Sequence, residues 1–292
     1  MADVNVAGQL DEIEKRIMAG LKDFQRATVN RIDELYRAGQ MRVLVSDEVG
    51  LGKTLIARGT KAKLAKLQKE SGDKLVKVVY VCSNASIAEQ NLNKLRITSE
   101  LKTESTSSSR LSMQHLNIFR QENDTELLNR YIQLIPLTPD TSFRMTSGAG
   151  TVSERALMYA ILRRIPELSM HRKALEVAMA DKAVGQWDGW ARDWYETQVK
   201  ECDKTSGGKY LAYMLDKLSV ELNMRADEDN TVLDMIISMC KQIRSNGYKQ
   251  QNNNAVIGKL RVIFAKISLD KLEPDLVIMD EFQRFKYLIN SD

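Results

Sequence analysis

Apolar positions recur at three- and four-residue spacing through residues 10–18 and 21–38, with Phe24, Ala27, Ile32, Leu35 and Tyr36 on one stripe and Gly39 closing the run. Two amphipathic helices are therefore expected at the start of the chain. The apolar run 41–45 reads as a strand, and the Ala-, Leu- and Lys-rich stretch 54–70, stopped by Ser71-Gly72-Asp73, reads as a helix. Residues 75–82, rich in valine, read as a second strand. Cap-forming residues at 83 lead into a helix to 95, a third strand is expected at 131–137, and a fourth at 274–279. Strands alternating with helices imply an α/β fold with a mainly parallel sheet flanked by helices, in which ligands sit at the carboxyl ends of the strands.

From 153 to 222 the pattern changes to long helical stretches with almost no strand character, broken at Lys204-Thr205-Ser206-Gly207-Gly208. The 227 positions that separate Lys53 from Asp280 are far more than two or three βα units require at ~30 residues each, and the excess reads as a large helical insertion. Trp187, Trp190 and Trp194 fall on one face of a helix there; base stacking is conceivable, but buried packing is the expectation. A loop rich in Gln and Asn spans 245–254, and a last helix runs from 255 to 271. The expected partition is N-terminal helices at 1–40, a first part of the core at 41–152, a helical insertion at 153–254 and a second part of the core at 255–292.

With 292 residues, 43% hydrophobic and 28% charged, the chain is long enough for one large or two ordinary domains. It lacks an apolar run of membrane-spanning length and an export signal at its start, so a cytoplasmic protein without a membrane partner is expected. Three widely spaced cysteines, Cys82, Cys202 and Cys240, and only two histidines argue for reduced thiols and against a zinc site. A net charge of +4 and a pI near 8.8 suit a polyanion partner and an ordinary solvated surface equally well.

The chemistry concentrates at D-E-V-G-L-G-K-T, from Asp47 to Thr54, between a strand and a helix. Gly50 and Gly52 let the backbone turn its N–H groups inward around a phosphate, Lys53 reaches the β and γ phosphates, and the Thr54 hydroxyl ligates Mg²⁺ at the positive end of the helix. Glu48, Val49 and Leu51 complete the cradle. Asp47 stands where the generic motif has its first glycine, so the match is to a variant. A second apolar strand ends in Asp280-Glu281. Asp280 would hold Mg²⁺ through its water shell, and Glu281 would orient the water that attacks the γ-phosphate. ATP and Mg²⁺ are the expected cofactors, and Lys53, Asp280 and Glu281 the expected catalytic groups.

Together, Phe24-Gln25, the loop at 47–54 and Asp280-Glu281-Phe282-Gln283 resemble the first RecA-like P-loop NTPase domain of a superfamily II helicase or translocase. The D-E-x-G-L-G-K-T form is the one seen in the Swi/Snf-like branch, which includes bacterial members associated with RNA polymerase or phage defence. In that family the acidic pair usually continues as Ala-His; here it continues as Phe282-Gln283. The resemblance implies that Gln25 recognises adenine, that Ser83 and Asn84 after one strand and Thr138 and Ser142 after another touch nucleic-acid phosphates, and that Gln283 couples the nucleotide site to a second domain. Ser83, Asn84, Thr138 and Ser142 serve equally well as ordinary caps.

The resemblance further implies a strand with a Ser-Ala-Thr type motif and a second RecA-like domain supplying arginines, neither of which follows Glu281. The expectation is an N-terminal fragment, a truncated frame or one subunit of a split motor, with the second lobe provided in cis or in trans and duplex DNA as the track. Without those arginines turnover falls by ~10³ to ~10⁵, so slow hydrolysis or none is expected of this chain alone. The alternatives are a nucleotide-sensing module that binds a protein partner without turnover and a subunit of a restriction or phage-defence complex.

Overall fold

The computed structural model describes residues 2–46, 50–72, 75–83, 85–97, 110–124, 126–138, 148–226, 229–249 and 251–281. These fall into two compact units: one formed by 1–109, 124–140 and 273–292, the other by 110–123 and 141–272.

The first unit is built on helices α1 (Ala2–Ala19), α2 (Asp23–Arg37), α3 (Lys53–Glu70) and α4 (Ala85–Leu95), and strands β1 (Val76–Val81), β2 (Ile132–Leu137) and β3 (Leu276–Met279). The three strands form a parallel sheet in the order β2-β1-β3, with Val76 opposite Ile132 and Val78 opposite Leu276. Successive strand side chains alternate between faces. Val76, Val78 and Tyr80 accordingly share one core with Leu10, Ile13 and Ile17 of α1, Ala62 and Ala65 of α3, and Leu92 and Leu95 of α4. This small parallel sheet is consistent with a RecA-like, helicase-type domain.

The expected first strand at 41–45 is absent from the sheet. Residues 41–46 carry no regular structure. Val43 and Val45 turn into a separate apolar cluster with Leu21, Val29, Ile32 and Ile56, while Met41 and Leu44 face solvent. Alternating burial marks an extended backbone, yet the backbone pairs with none of the three strands.

The second unit is helical. Helices Gln114–Glu122, Val152–Leu162, Arg172–Ala180, Arg192–Thr205, Lys209–Leu222, Val232–Ser245 and Asn254–Leu272 surround a core that includes Leu157, Ile161, Met214, Leu218, Ile236, Ile243, Leu260 and Phe264. The partition drawn from composition differs from this division: Asn254–Leu272, taken as core of the sheet domain, packs Ile257, Leu260, Ile263, Phe264 and Ile267 with the helical unit, as does Gln114–Glu122. Threonine boxes start two of these helices, with Thr151 paired to Glu154 and Thr231 to Asp234.

The tryptophans separate. Trp187 is 1% exposed in the helical core, whereas Trp190 and Trp194 are 47% and 55% exposed, so buried packing holds for one of the three. A π-helical turn at Trp187–Ala191 contains the first two of them, and its wider winding changes the angular positions of the residues that follow relative to a regular helix. The three cysteines are buried free thiols, and no described helix is long and apolar enough to cross a membrane.

Candidate functional site

The glycine loop lies directly before α3. Asp47, Glu48 and Val49 are outside the described residues; Gly50, Leu51, Gly52, Lys53 and Thr54 are within them. Gly50 and Gly52 adopt φ values of 90° and 80°, a left-handed conformation that costs glycine little and other residues more. Gly52 is the residue from which α3 springs, and its carbonyl accepts the Leu55 N–H at 2.8 Å. Lys53 and Thr54 thus occupy the first turn, where backbone N–H groups lack intrahelical partners and the helix dipole favours an anion. No acidic residue in that turn opposes one. Among the described residues, a Cβ at Gly50 would meet nothing within 4 Å.

Gln25, on α2, reaches this loop. Its Oε1 accepts the Lys22 backbone N–H at 3.1 Å, and its Nε2 donates to the Leu51 carbonyl at 2.9 Å. The side chain is buried. The residue expected to read adenine is thus a brace between α2 and the loop.

The acidic pair is delivered by β3. Pairing with β1 continues beyond the strand, as the Asp280 N–H donates to the Val81 carbonyl at 2.9 Å. Asp280 and Glu281 therefore lie at the carboxyl end of the sheet, beside residues 80–83. Asp280 Oδ2 accepts from Tyr80 Oη at 2.7 Å and from Asn91 Nδ2 at 3.1 Å, and Asn91 Nδ2 lies 2.9 Å from Tyr80 Oη. Glu281 Oε2 accepts from Ser83 Oγ at 3.1 Å. Glu281 also has a φ of 53°, a conformation that costs a non-glycine residue energy and that tends to occur at working sites. Burial, and then the Asp280 carboxylate, push the Tyr80 phenol well above its ordinary pKa, so it remains a donor.

Of the expected nucleic-acid residues, Ser83 and Thr138 follow the neighbouring strands β1 and β2 at the same carboxyl edge of the sheet, since Val81 pairs with Leu137. Ser83 joins the acidic pair. Thr138 follows β2, on the opposite side of β1 from Asp280, and its side chain is buried. Asn84, Ser142 and Gln283 are outside the described residues. Tyr80 and Asn91 were not singled out from sequence; the available signal was a tyrosine on the buried face of a valine-rich strand, since a buried phenol needs a hydrogen-bond partner.

Among the described residues no group of three or more His, Cys, Asp or Glu side chains is arranged to hold a metal ion. A lone carboxylate and a threonine hydroxyl fit magnesium, which keeps much of its water and relies on substrate phosphates for further oxygens.

Residues 19–136 match the family model described as the type III restriction enzyme, res subunit. That domain is a helicase-like N-terminal domain of superfamily II, ATPase- and helicase-like in kind. The matched stretch runs through α2, the glycine loop, α3, β1 and α4 into β2, and excludes β3 and most of the helical unit. The family matched is the restriction-subunit one and not the Swi/Snf-like branch that the loop resembles. No curated protein and no solved structure matched the chain.

Proposed function

We propose that the first unit is the ATP-binding lobe of a superfamily II motor of the restriction-subunit kind, which couples Mg²⁺-dependent ATP hydrolysis to movement on duplex DNA. The observation that carries this reading is the register of β3 on β1, which sets Asp280 and Glu281 at the carboxyl end of the sheet in the same unit as the glycine loop. In this reading the N–H groups around Gly50 and Gly52 and the first turn of α3 receive the phosphates. Lys53 balances their charge, and Gln25 keeps the loop in shape from α2. Glu281, held by Ser83, accepts the proton of the attacking water. Magnesium, bound through Asp280 and Thr54, would supply charge neutralisation across the β and γ phosphates. A second RecA-like lobe, in cis or in trans, would add the arginines that speed phosphoryl transfer.

The family match favours the restriction or defence setting over the Swi/Snf-like one, since residues 19–136 are described by the former. A nucleotide-sensing module remains the competing reading for the chain by itself. The test is binding of a fluorescent ATP analogue to the 292-residue chain, followed by hydrolysis assays with and without duplex DNA. Binding that is lost in Lys53→Ala supports the nucleotide site, and DNA-stimulated turnover lost in Glu281→Gln supports the motor. Binding in wild type with no turnover, even with DNA, supports the sensor.

A further inference from the structure

The metal-binding carboxylate expected at Asp280 is gripped by two side chains of the β1–α4 segment that no motif predicts. We propose that Tyr80 and Asn91 are positioning residues for Asp280, fixing which of its oxygens faces the magnesium ion and so setting the magnesium requirement of nucleotide binding. This deepens the ATP reading and rests on it.

The hydrogen-bond geometry is a closed triangle. Asn91 Nδ2 donates to Tyr80 Oη at 2.9 Å and to Asp280 Oδ2 at 3.1 Å, and because these acceptors are themselves only 2.7 Å apart the amide's donation is shared between them. With its oxygen accepting from Asn91, the Tyr80 hydroxyl directs its single hydrogen at Asp280 Oδ2, 2.7 Å away. Both donors converge on the same carboxylate oxygen. Rotation of the Asp280 carboxylate, whose terminal torsion is otherwise broad, would break two hydrogen bonds at once. Among the described residues both donors fall on Oδ2, which leaves Oδ1 as the oxygen for a hydrated cation. The clamp is also stiff at its base, because Tyr80 is in the buried core of β1 and Asp280 is tied to Val81 through the backbone. Groups that orient a metal-binding side chain in this way typically change metal affinity by about 10- to 100-fold when removed.

A purely structural role for the triangle would satisfy the buried phenol and nothing more. The two roles separate in a magnesium titration of fluorescent ATP-analogue binding to the full chain. Tyr80→Phe keeps the ring and deletes the donor. It is expected to raise the magnesium midpoint about tenfold, with analogue binding in excess chelator unchanged and the shift absent in an Asp280→Asn background. Asn91→Ala, on the partly exposed α4, is expected to shift the midpoint in the same direction and decides the matter if Tyr80→Phe does not fold. An unshifted midpoint in the folded variant, alongside normal magnesium-dependent binding by wild type, overturns the proposal and leaves the ATP reading standing. Absence of analogue binding by wild type overturns the ATP reading and the proposal together.

Discussion

Gln25 Nε2 donates to the Leu51 carbonyl at 2.9 Å, so a side chain from α2 sets the shape of the glycine loop that opens α3. The fit is tight: a Cβ on Gly52 would stand 2.6 Å from that same nitrogen, at a backbone φ of +80°. Gly52→Ala therefore combines a clash with a left-handed strain of about 1–3 kcal/mol. We expect it to abolish analogue binding and lower Tm, while Gln25→Ala weakens binding by roughly tenfold through loss of about one hydrogen bond to a loop carbonyl. Titration of a fluorescent ATP analogue and thermal melts check both.

Lys61 of α3 is fully buried, with Nζ donating to the Leu95 carbonyl, and burial followed by the nearby Arg58 charge lowers its pKa to about 7. An unfolded lysine keeps its proton to about pH 10.4. Between about pH 7 and 10 the unfolded chain thus binds more protons than the folded one, so this residue makes stability rise with pH across that window, and its penalty is largest below pH 7. Lys61→Met should raise Tm at pH 6 by on the order of 5 °C, and the gain should shrink by pH 9. A gain independent of pH would contradict this account.

In the helical unit, Glu154 is the hub of a buried network. Its Oε1 accepts from Ser112 Oγ at 2.7 Å and from Arg261 Nε at 3.2 Å, and its Oε2 accepts from the Thr151 N–H at 2.9 Å and pairs with Arg110 at 3.1 Å. Burial works against the carboxylate, but the Thr151 and Ser112 bonds and the arginines outweigh it and keep its pKa low. Removing one partner of a buried pair costs about 3–5 kcal/mol, and replacing both costs less than the sum. Glu154→Gln and Arg261→Met should each lower the unfolding midpoint of this unit in urea, with a clearly non-additive double variant. Tryptophan fluorescence isolates this transition, since all three tryptophans belong to the helical unit.

Those tryptophans make a separate prediction. Trp187 packs edge-on against Tyr159 and donates to Glu176, whereas Trp190 and Trp194 are half exposed. Acrylamide should quench the fluorescence of Trp190 and Trp194 and spare that of Trp187. Trp187→Ala should destabilise by about 3–5 kcal/mol, while Trp190→Ala should stay within about 0.5 kcal/mol of wild type.

The helices α1 to α3 and strands β1 to β3 were legible because each rests on a local period, 3.6 or 2, that a short window reveals. Residues 41–45 show the limit of that signal: the alternation of Val43 and Val45 with Arg42 and Leu44 reports which side chains are buried, and says nothing of whether the backbone finds a partner. Asn254–Leu272 shows another limit, since its apolar residues declare a buried helix without naming the core that buries it. The two motifs of the proposed site, Asp47 to Thr54 and Asp280-Glu281, were readable as sequence motifs because each has a short signature. The Tyr80–Asn91–Asp280 triangle was not, because it depends on pairing between strands far apart in the chain, and the π turn at Trp187–Ala191 leaves no mark in hydrophobic spacing.

That long-range pairing also imposes an order of events during synthesis. Asp275 Oδ2 accepts from the Lys77 N–H at 2.7 Å across a separation of 198 residues. At a ribosomal rate of ~5–20 residues per second, β1 would wait ~10–40 s for β3. A nascent chain would carry its glycine loop well before its acidic pair arrives, with one side of a valine-rich strand open to whatever else pairs with it in that interval. The helical unit between them is what the ribosome makes during the wait.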